Sequence, residues 1–448
     1  MIFAIKHIIV LGEVKHMKKR RITATVIFSL IICFAALKLG IAYVWRSSRS
    51  NSFCFESAHT DVSFSLEEVH TNTSVSFGDK HGAAITENGD LYTWGSNASG
   101  QLGYGEIGSY SKIPTRVPGI ADVVSVSLGD VHSAAITVNG DLYTWGSNWH
   151  GQLGHGSNKR YTQYVITPTK VMSLPKVVAV SSAGTSTAVI TDAGELYIWG
   201  FHDRAGNPRI VQDLTTIAAV NLGFGLYGFR NIATLADNGE LYTWGAKGEV
   251  LGYSVQVNRF RSEPIVGSYM PKRVPNINNV IAVNLGAEHG AAITSDGMLY
   301  TWGGNWSGQV GHNSASYPEL VESTRILDIA NVVAVSLGGY HSATVTVDGE
   351  LYTWGFNRSG QLAYYSSTYT DSGFQYTDMP TKVPGLADVV GVSLGYYNSA
   401  AITADGSLYT WGSTYGGLLG DGIIGERWDF RREPQKIMEN VMIPNNGH

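Results

Sequence analysis

Apolar and polar positions along this chain recur in one order, seven times over. One copy reads Val123-Val124-Ser125-Val126-Ser127-Leu128-Gly129, then His132-Ser133-Ala134-Ala135-Ile136-Thr137, then Leu142-Tyr143-Thr144-Trp145-Gly146, then Gly151-Gln152-Leu153-Gly154 and Pro168-Thr169-Lys170-Val171. Short β-branched and aromatic runs cut by Gly, Asn, Asp and Pro predict four strands per copy. The third strand of each copy holds one tryptophan: Trp94, Trp145, Trp199, Trp244, Trp302, Trp354 and Trp411. A period of this size marks stacked units, none of which buries its own apolar faces alone.

The second and third strands are joined by Asn-Gly or Asp-Gly in six copies, softened to Ala193-Gly194 in the third. These pairs predict a tight hairpin with positive φ at both central residues. In the third strand Tyr and Trp alternate with Leu and Thr, and neither face carries charge, so both faces are expected to be covered by neighbours. The chain is therefore read as all-β, a seven-bladed β-propeller of four-stranded blades over residues 72–445. The run Val441-Met442-Ile443 resembles the start of an eighth copy and is expected to pair beside the first blade.

The pattern of Gly, His-Ser, Leu-Tyr-Thr-Trp-Gly, Asn and Gly-Gln-Leu-Gly resembles the regulator of chromosome condensation repeat family over about residues 72 to 443. That resemblance implies a seven-bladed propeller. It leaves function open, because the family includes exchange factors for a small nuclear GTPase, interaction modules and a secreted bacterial inhibitor of β-lactamases. The chain departs from the chromatin-binding members: nothing matches a basic histone-binding tail. The third copy lacks Gly-Gln-Leu-Gly around Gly200–Gly206 and gains no recognisable exchange wedge.

The N-terminus changes the picture. Residues 1–50 hold nine Lys or Arg and one acid, so the net charge of −5 leaves −13 for residues 51–448. Such an excess of carboxylates repels phosphate backbones, and nucleic acid is not expected as a partner. Residues 22–45 form an apolar stretch interrupted by Lys38 and preceded by Lys18-Lys19-Arg20-Arg21. It is expected to be a transmembrane helix or signal-anchor, with residues 1–21 a basic cytoplasmic segment and 46–71 a linker. The expected location is the cell membrane, single-pass with the propeller outside, or secretion if the segment is cleaved. Met17 is an alternative start to Met1. The two cysteines, Cys33 and Cys54, lie outside the repeats.

Four histidines open the second strand, His81, His132, His289 and His341, with Ser186, Asn231 and Asn398 at the equivalent positions. A ring of histidines invites a metal site, but small hydrogen-bonding substitutes point to a structural role tied to the preceding Gly turn. No phosphate loop, nucleophile elbow, metalloprotease helix or cysteine cluster is present, so no cofactor and no metal are expected, and the chain is not read as an enzyme.

Binding is expected on one face. The first-to-second and third-to-fourth connections leave the blade on the same side, and the long insertions all fall in the latter. They are rich in Tyr, Ser, Gly and Asn, the composition of adaptable binding surfaces. The candidate partner-binding residues are Tyr104, Tyr110, Tyr161, Tyr164, Tyr253, Tyr269, Tyr364, Tyr365, Tyr369 and Tyr376, with Trp149 and Trp306 read as one position apart in equivalent turns. The expected function is a monomeric protein-binding scaffold or inhibitor. The alternatives are guanine-nucleotide exchange on a small GTPase and cell-surface carbohydrate binding, the latter requiring a carboxylate pair beside aromatics.

Overall fold

A computed structural model describes residues 74–444 of the chain, apart from 109, 157–162, 201–205, 215, 224–230, 247, 254–269, 313–318 and 370–372. Seven antiparallel sheets follow one another, each running from an inner to an outer strand in chain order. Blade two is typical, with strands Val123–Leu128, His132–Thr137, Leu142–Ser147 and Tyr164–Lys170. Blade six adds a fifth strand, Thr368–Tyr369, outside Gln375–Lys382. The inner strands touch in sequence around a ring, closing where Val389–Leu394 of blade seven meets Val75–Phe77 of blade one.

The hairpin prediction holds, with a different turn. Gly140 N–H donates to Thr137 O at 2.8 Å, and Gly140 alone takes positive φ, at 79°. The turn spans Thr137 to Gly140, so Asn139 occupies an ordinary right-handed position and only the glycine needs left-handed freedom.

Closure uses both ends of the propeller. In each blade the first residue of the next inner strand donates to the hairpin glycine, as Val123 does to Gly89 O at 3.0 Å. Val441 makes the same bond to Gly406 O at 2.9 Å, and Met442 N–H donates to Ile85 O at 2.9 Å. Val441 also bridges Thr86, so the C-terminal run begins the inner strand that Val75–Phe77 completes, as expected.

Six links tie inner strands to one another. Ser76, Ser127, Ser181, Asn221, Asn284 and Ser336 each accept the backbone N–H of the leucine that ends the next inner strand or, at Ser127, of Ser182. In six of the seven inner strands a polar side chain thus has a partner inside the ring, which offsets the cost of burying it. The seven tryptophans are buried between blades.

The expected membrane location is corrected. Among the described residues no helix is long and apolar enough to cross a membrane, because the repeat writes strands throughout. The span expected at 22–45, with 1–21 and 46–71 beside it, lies outside the described residues.

Candidate protein-binding face

The frame that holds this face is built between blades. Trp145 Nε1–H donates to Gln101 O at 2.8 Å, and Trp199, Trp354 and Trp411 donate likewise to Gln152, Gln309 and Gln361 O of the preceding blades. Trp302 uses Val250 O and Trp94 uses Leu418 O, so the carbonyl rather than the glutamine side chain is what the indole requires. The same Gln101 carbonyl accepts the Ser133 hydroxyl at 2.8 Å.

The histidines complete this network. His81 Nε2 lies 2.9 Å from Ser133 Oγ of the next blade; His132 meets Thr187 at 3.0 Å, His289 meets Ser342 at 2.8 Å and His341 meets Ser399 at 3.0 Å. Where the following blade lacks a hydroxyl, at Ile232, Gly290 and Gly82, the preceding blade carries Ser186, Asn231 and Asn398 instead of histidine. Histidine therefore appears where the next blade supplies its partner. A Cβ added at Gly290 would stand 2.4 Å from the Trp302 ring, which excludes a hydroxyl-bearing side chain there. Burial pushes His81, His289 and His341 down to about 3 and His132 to about 4, so all four are neutral near pH 7. Among the described residues no group of three or more His, Cys, Asp or Glu is placed to hold a metal.

On this frame the turns before the second strands and the long third-to-fourth loops share one face, as the strand order requires. The candidate aromatics divide into two sets there. Tyr104 donates to Thr93 O at 2.5 Å, Tyr253 to Thr243 O at 2.9 Å and Tyr364 to Thr353 O at 2.8 Å. His155 and His312 occupy the same place, within 3.1 and 3.2 Å of Thr144 and Thr301 Oγ1. These side chains pin each loop to its own third strand, and Tyr253 is only 3% exposed. Burial raises the Tyr104 and Tyr364 hydroxyls above the usual phenol range.

The other set is open. Trp149 and Trp306 are exposed and occupy the same position of their turns, not adjacent ones: each follows the asparagine whose carbonyl accepts from Gly151 or Gly308 two residues further on. Trp149 packs edge-on against the half-buried Tyr164, with ring centroids 6.4 Å apart. Tyr110 is exposed and lies against Gly416 of blade seven. Tyr369 is exposed on the fifth strand of blade six, where Gln375 opposite it donates to its hydroxyl at 3.3 Å, and the half-buried Tyr376 pairs with Thr368. Tyr161 and Tyr269 lie outside the described residues.

Blades six and seven concentrate what the sequence reading missed. Arg358 occupies the turn position of Trp149 and Trp306, and its guanidinium sits 4.4 Å from the Phe374 ring and 4.0 Å from the Trp428 ring. Arg432 lies 3.8 Å from the Tyr365 ring and 5.2 Å from Phe430. Trp428 is 61% exposed and Tyr365 80%, so these stacks face solvent. They continue inward: Phe374 meets Phe356, Phe356 meets Tyr340, and Tyr340 meets Tyr396, which meets Tyr397. Tyr340, Tyr396 and Tyr397 belong to the turns before the second strands, so the chain of rings runs from the outer loops to the centre of the face. The signal was present in Arg427-Trp428-Asp429-Phe430-Arg431-Arg432, where arginines and aromatics interleave.

Across the centre, blades one and two present Asp79 and Asp130. Burial raises the Asp130 carboxyl to about 6, with the charge of Asp79 adding to the effect and Lys80 opposing it. Asp421, at the rim, is instead tied to Arg431 at 2.5 Å.

Comparison with known proteins agrees with the architecture. Two models of the regulator of chromosome condensation (RCC1) repeat match the chain, one at residues 88–136, 139–190, 296–345 and 348–402, the other at 73–101, 123–152, 280–309, 332–361 and 389–417. The chain is 30% identical over 347 residues to the RCC1 domain-containing protein RUG3, mitochondrial, of Arabidopsis thaliana, covering 75% of this chain and 64% of that protein. It is 31% identical over 297 residues to the E3 ubiquitin-protein ligase HERC2 of Homo sapiens, covering 62% of this chain but 6% of the relative. The crystal structure of Prp20p from Saccharomyces cerevisiae, described with its binding to Gsp1p and histones, superposes with a TM-score of 0.69 at 22% identity, over 85% of this chain and 90% of that one. The relative named as mitochondrial is a second finding against the expected cell-membrane location.

Proposed function

This chain belongs to the RCC1 repeat family, and from that premise we propose that it is a protein-binding scaffold or inhibitor whose partner docks on the loop face over blades six and seven. The observation that carries this reading is the pair of arginine stacks, Phe374–Arg358–Trp428 and Tyr365–Arg432, left open to solvent. Arg, Trp and Tyr dominate the energetics of protein interfaces because they bury large area around one oriented polar group. A guanidinium held over a ring still carries N–H donors for a partner's carboxylate or carbonyl, and part of its ordering cost is met before the partner arrives. The buried tryptophans and Tyr104, Tyr253 and Tyr364 are consumed by the frame, whereas both stacks, each of which joins blade six to blade seven, stay open to solvent.

Such a surface binds and orients a partner; its residues supply no nucleophile and no paired acid and base, so the reading is of a scaffold or inhibitor and not of a catalyst. The test is cross-linking mass spectrometry of the full chain in its native extract, beside an Arg358→Ala/Trp428→Ala double variant. The reading expects one partner cross-linked to loops 357–376 and 421–433 and lost from the variant. Retention of every cross-linked partner by the variant would overturn it. Nucleotide release from a small GTPase, accelerated equally by both proteins, would give the exchange reading precedence.

A further inference from the structure

Carboxylates outnumber lysine and arginine in this chain by 36 to 31, so an arginine left without one is a choice of placement. Arg116, Lys170, Arg273 and Lys382 each hold a hairpin acid of their own blade, and Arg431 holds Asp421. Arg358 and Arg427 hold a ring instead, and among the described residues neither has a carboxylate at ion-pair distance. Their guanidinium carbons lie 4.0 and 5.2 Å from the centroid of the same Trp428 ring, so they are no farther apart than the sum of those distances. One cation satisfies a ring, and a second beside it adds repulsion. Holding the seam between blades six and seven accounts for Arg358, which reaches across it, but not for Arg427, the neighbour of Trp428 in its own loop.

A third donor stands near this pair. Tyr396 gives its hydroxyl to Tyr340 at 3.2 Å, whereas the hydroxyl of Tyr397, a residue 40% exposed, has no acceptor among the described residues. Partial burial raises that hydroxyl above the usual phenol range, Tyr340 and Asp79 add to the rise, and the charges of Arg358 and Arg427 oppose it. Both arginines are thus within electrostatic reach of the Tyr397 oxygen, which keeps its proton at neutral pH.

We propose that Arg358, Arg427 and Tyr397 form a site for the phosphoryl group of a phosphorylated serine or threonine on the partner, an assignment that rests on the reading of blades six and seven as the docking face. Such a side chain carries about two negative charges and three acceptor oxygens, which two guanidinium groups and a phenol match in charge and in donor groups. A single carboxylate takes one bidentate arginine and leaves the other cation unanswered. A run of carboxylates meets resistance from the chain itself: residues 51–448 are net acidic, and Glu426 and Asp429 stand exposed in the same loop. A partner's negative charge therefore gains most when it is concentrated at the arginines. Trp428 holds the two cations in place before that group arrives.

The experiment uses the labelled full chain and three immobilised, degenerate nonapeptide libraries that differ only at the central residue: phosphothreonine, threonine or glutamate. Wild type is expected to be retained about ten-fold better by the phosphothreonine library than by either of the others. Arg358→Ala and Arg427→Ala should each lose about ten-fold of that retention, and Tyr397→Phe about three-fold, with melting temperatures unchanged. Arg325→Ala, which removes the same charge from blade five, should lose none. Equal retention by the threonine or the glutamate library, or full retention of Arg427→Ala, would overturn the proposal. If the libraries do not discriminate while the cross-linked partner is still lost from Arg358→Ala/Trp428→Ala, the phosphoryl assignment falls and the docking face stands. If that double variant keeps its cross-links, the docking face falls and the site with it.

Discussion

The interfaces between blades and the loop face over blades six and seven spend the same residue types in opposite ways. Between blades, the repeat tryptophans bury their rings, six of them give the N–H to a neighbour's carbonyl, and the four repeat histidines are each matched to a neighbour's hydroxyl. Over blades six and seven, Trp428 and Tyr365 stack on arginines and leave most of their surface to water. The difference is the number of polar partners within reach. A ring whose polar atom is satisfied from inside the fold belongs to the frame, and one held in place by a cation at the surface retains the capacity to bind.

The contrast is broken most directly by truncating one tryptophan from each side. Trp354→Ala is expected to cost about 3–5 kcal/mol in denaturant unfolding, since it empties a packed interface and removes one of the two donors to the Gln309 carbonyl. Trp428→Ala should stay within about 0.5 kcal/mol of wild type. Comparable losses for the two would erase the distinction between frame and surface.

Acid sharpens it next. Histidines held near 3 stay neutral in the fold while their unfolded counterparts, near 6.5, take up protons, so stability is complete above pH 6.5 and is lost as pH falls towards the folded value. Each contributes a loss of about 2 kcal/mol between neutral pH and pH 5. His341→Asn, the residue that blade seven already uses at 398, should flatten the acid limb of a denaturation series relative to wild type by one histidine's share. An unchanged slope would mean that His341 opens to water.

Smaller effects lie along the same network. Ser342→Ala removes the hydroxyl shared by His289 and Gln309 O and is expected to cost about 1–3 kcal/mol, whereas Ser342→Thr should recover most of it, as Thr187 serves in blade three. Thermal melts of the two variants make the check. Smallest of all, Arg358→Ala should leave the melting temperature unchanged while altering the near-ultraviolet circular dichroism of Trp428. No spectral change would show that the stack does not persist in solution.

Much of this was legible in the repeat. Trp, His and Gly spacings gave seven blades, their hairpins and the face on which the loops gather, because each position has one fixed neighbour and the pattern repeats with it. The histidine substitutions were legible as structural too, though their cause was not: Ser186, Asn231 and Asn398 answer to Ile232, Gly290 and Gly82, which lie 46 and 59 residues away and across the closure, and only stacking makes these pairs neighbours. The same applies to Tyr104, Tyr253 and Tyr364. As sequence they are loop tyrosines like Tyr365; in space their hydroxyls reach back to a threonine carbonyl.

The sequence by itself determined the architecture, since a four-strand unit with two apolar faces has no stable state except beside copies of itself, and seven copies close a ring. Only the tertiary structure decided which aromatic residues stay open to solvent and which hold the frame. Arg358 and Trp428 are 70 positions apart, and nothing local to either declares that a guanidinium from blade six will lie on a ring from blade seven. Pairing across blades is set by the closure of the ring, and that closure brings distant loop residues together without a periodic mark in the chain.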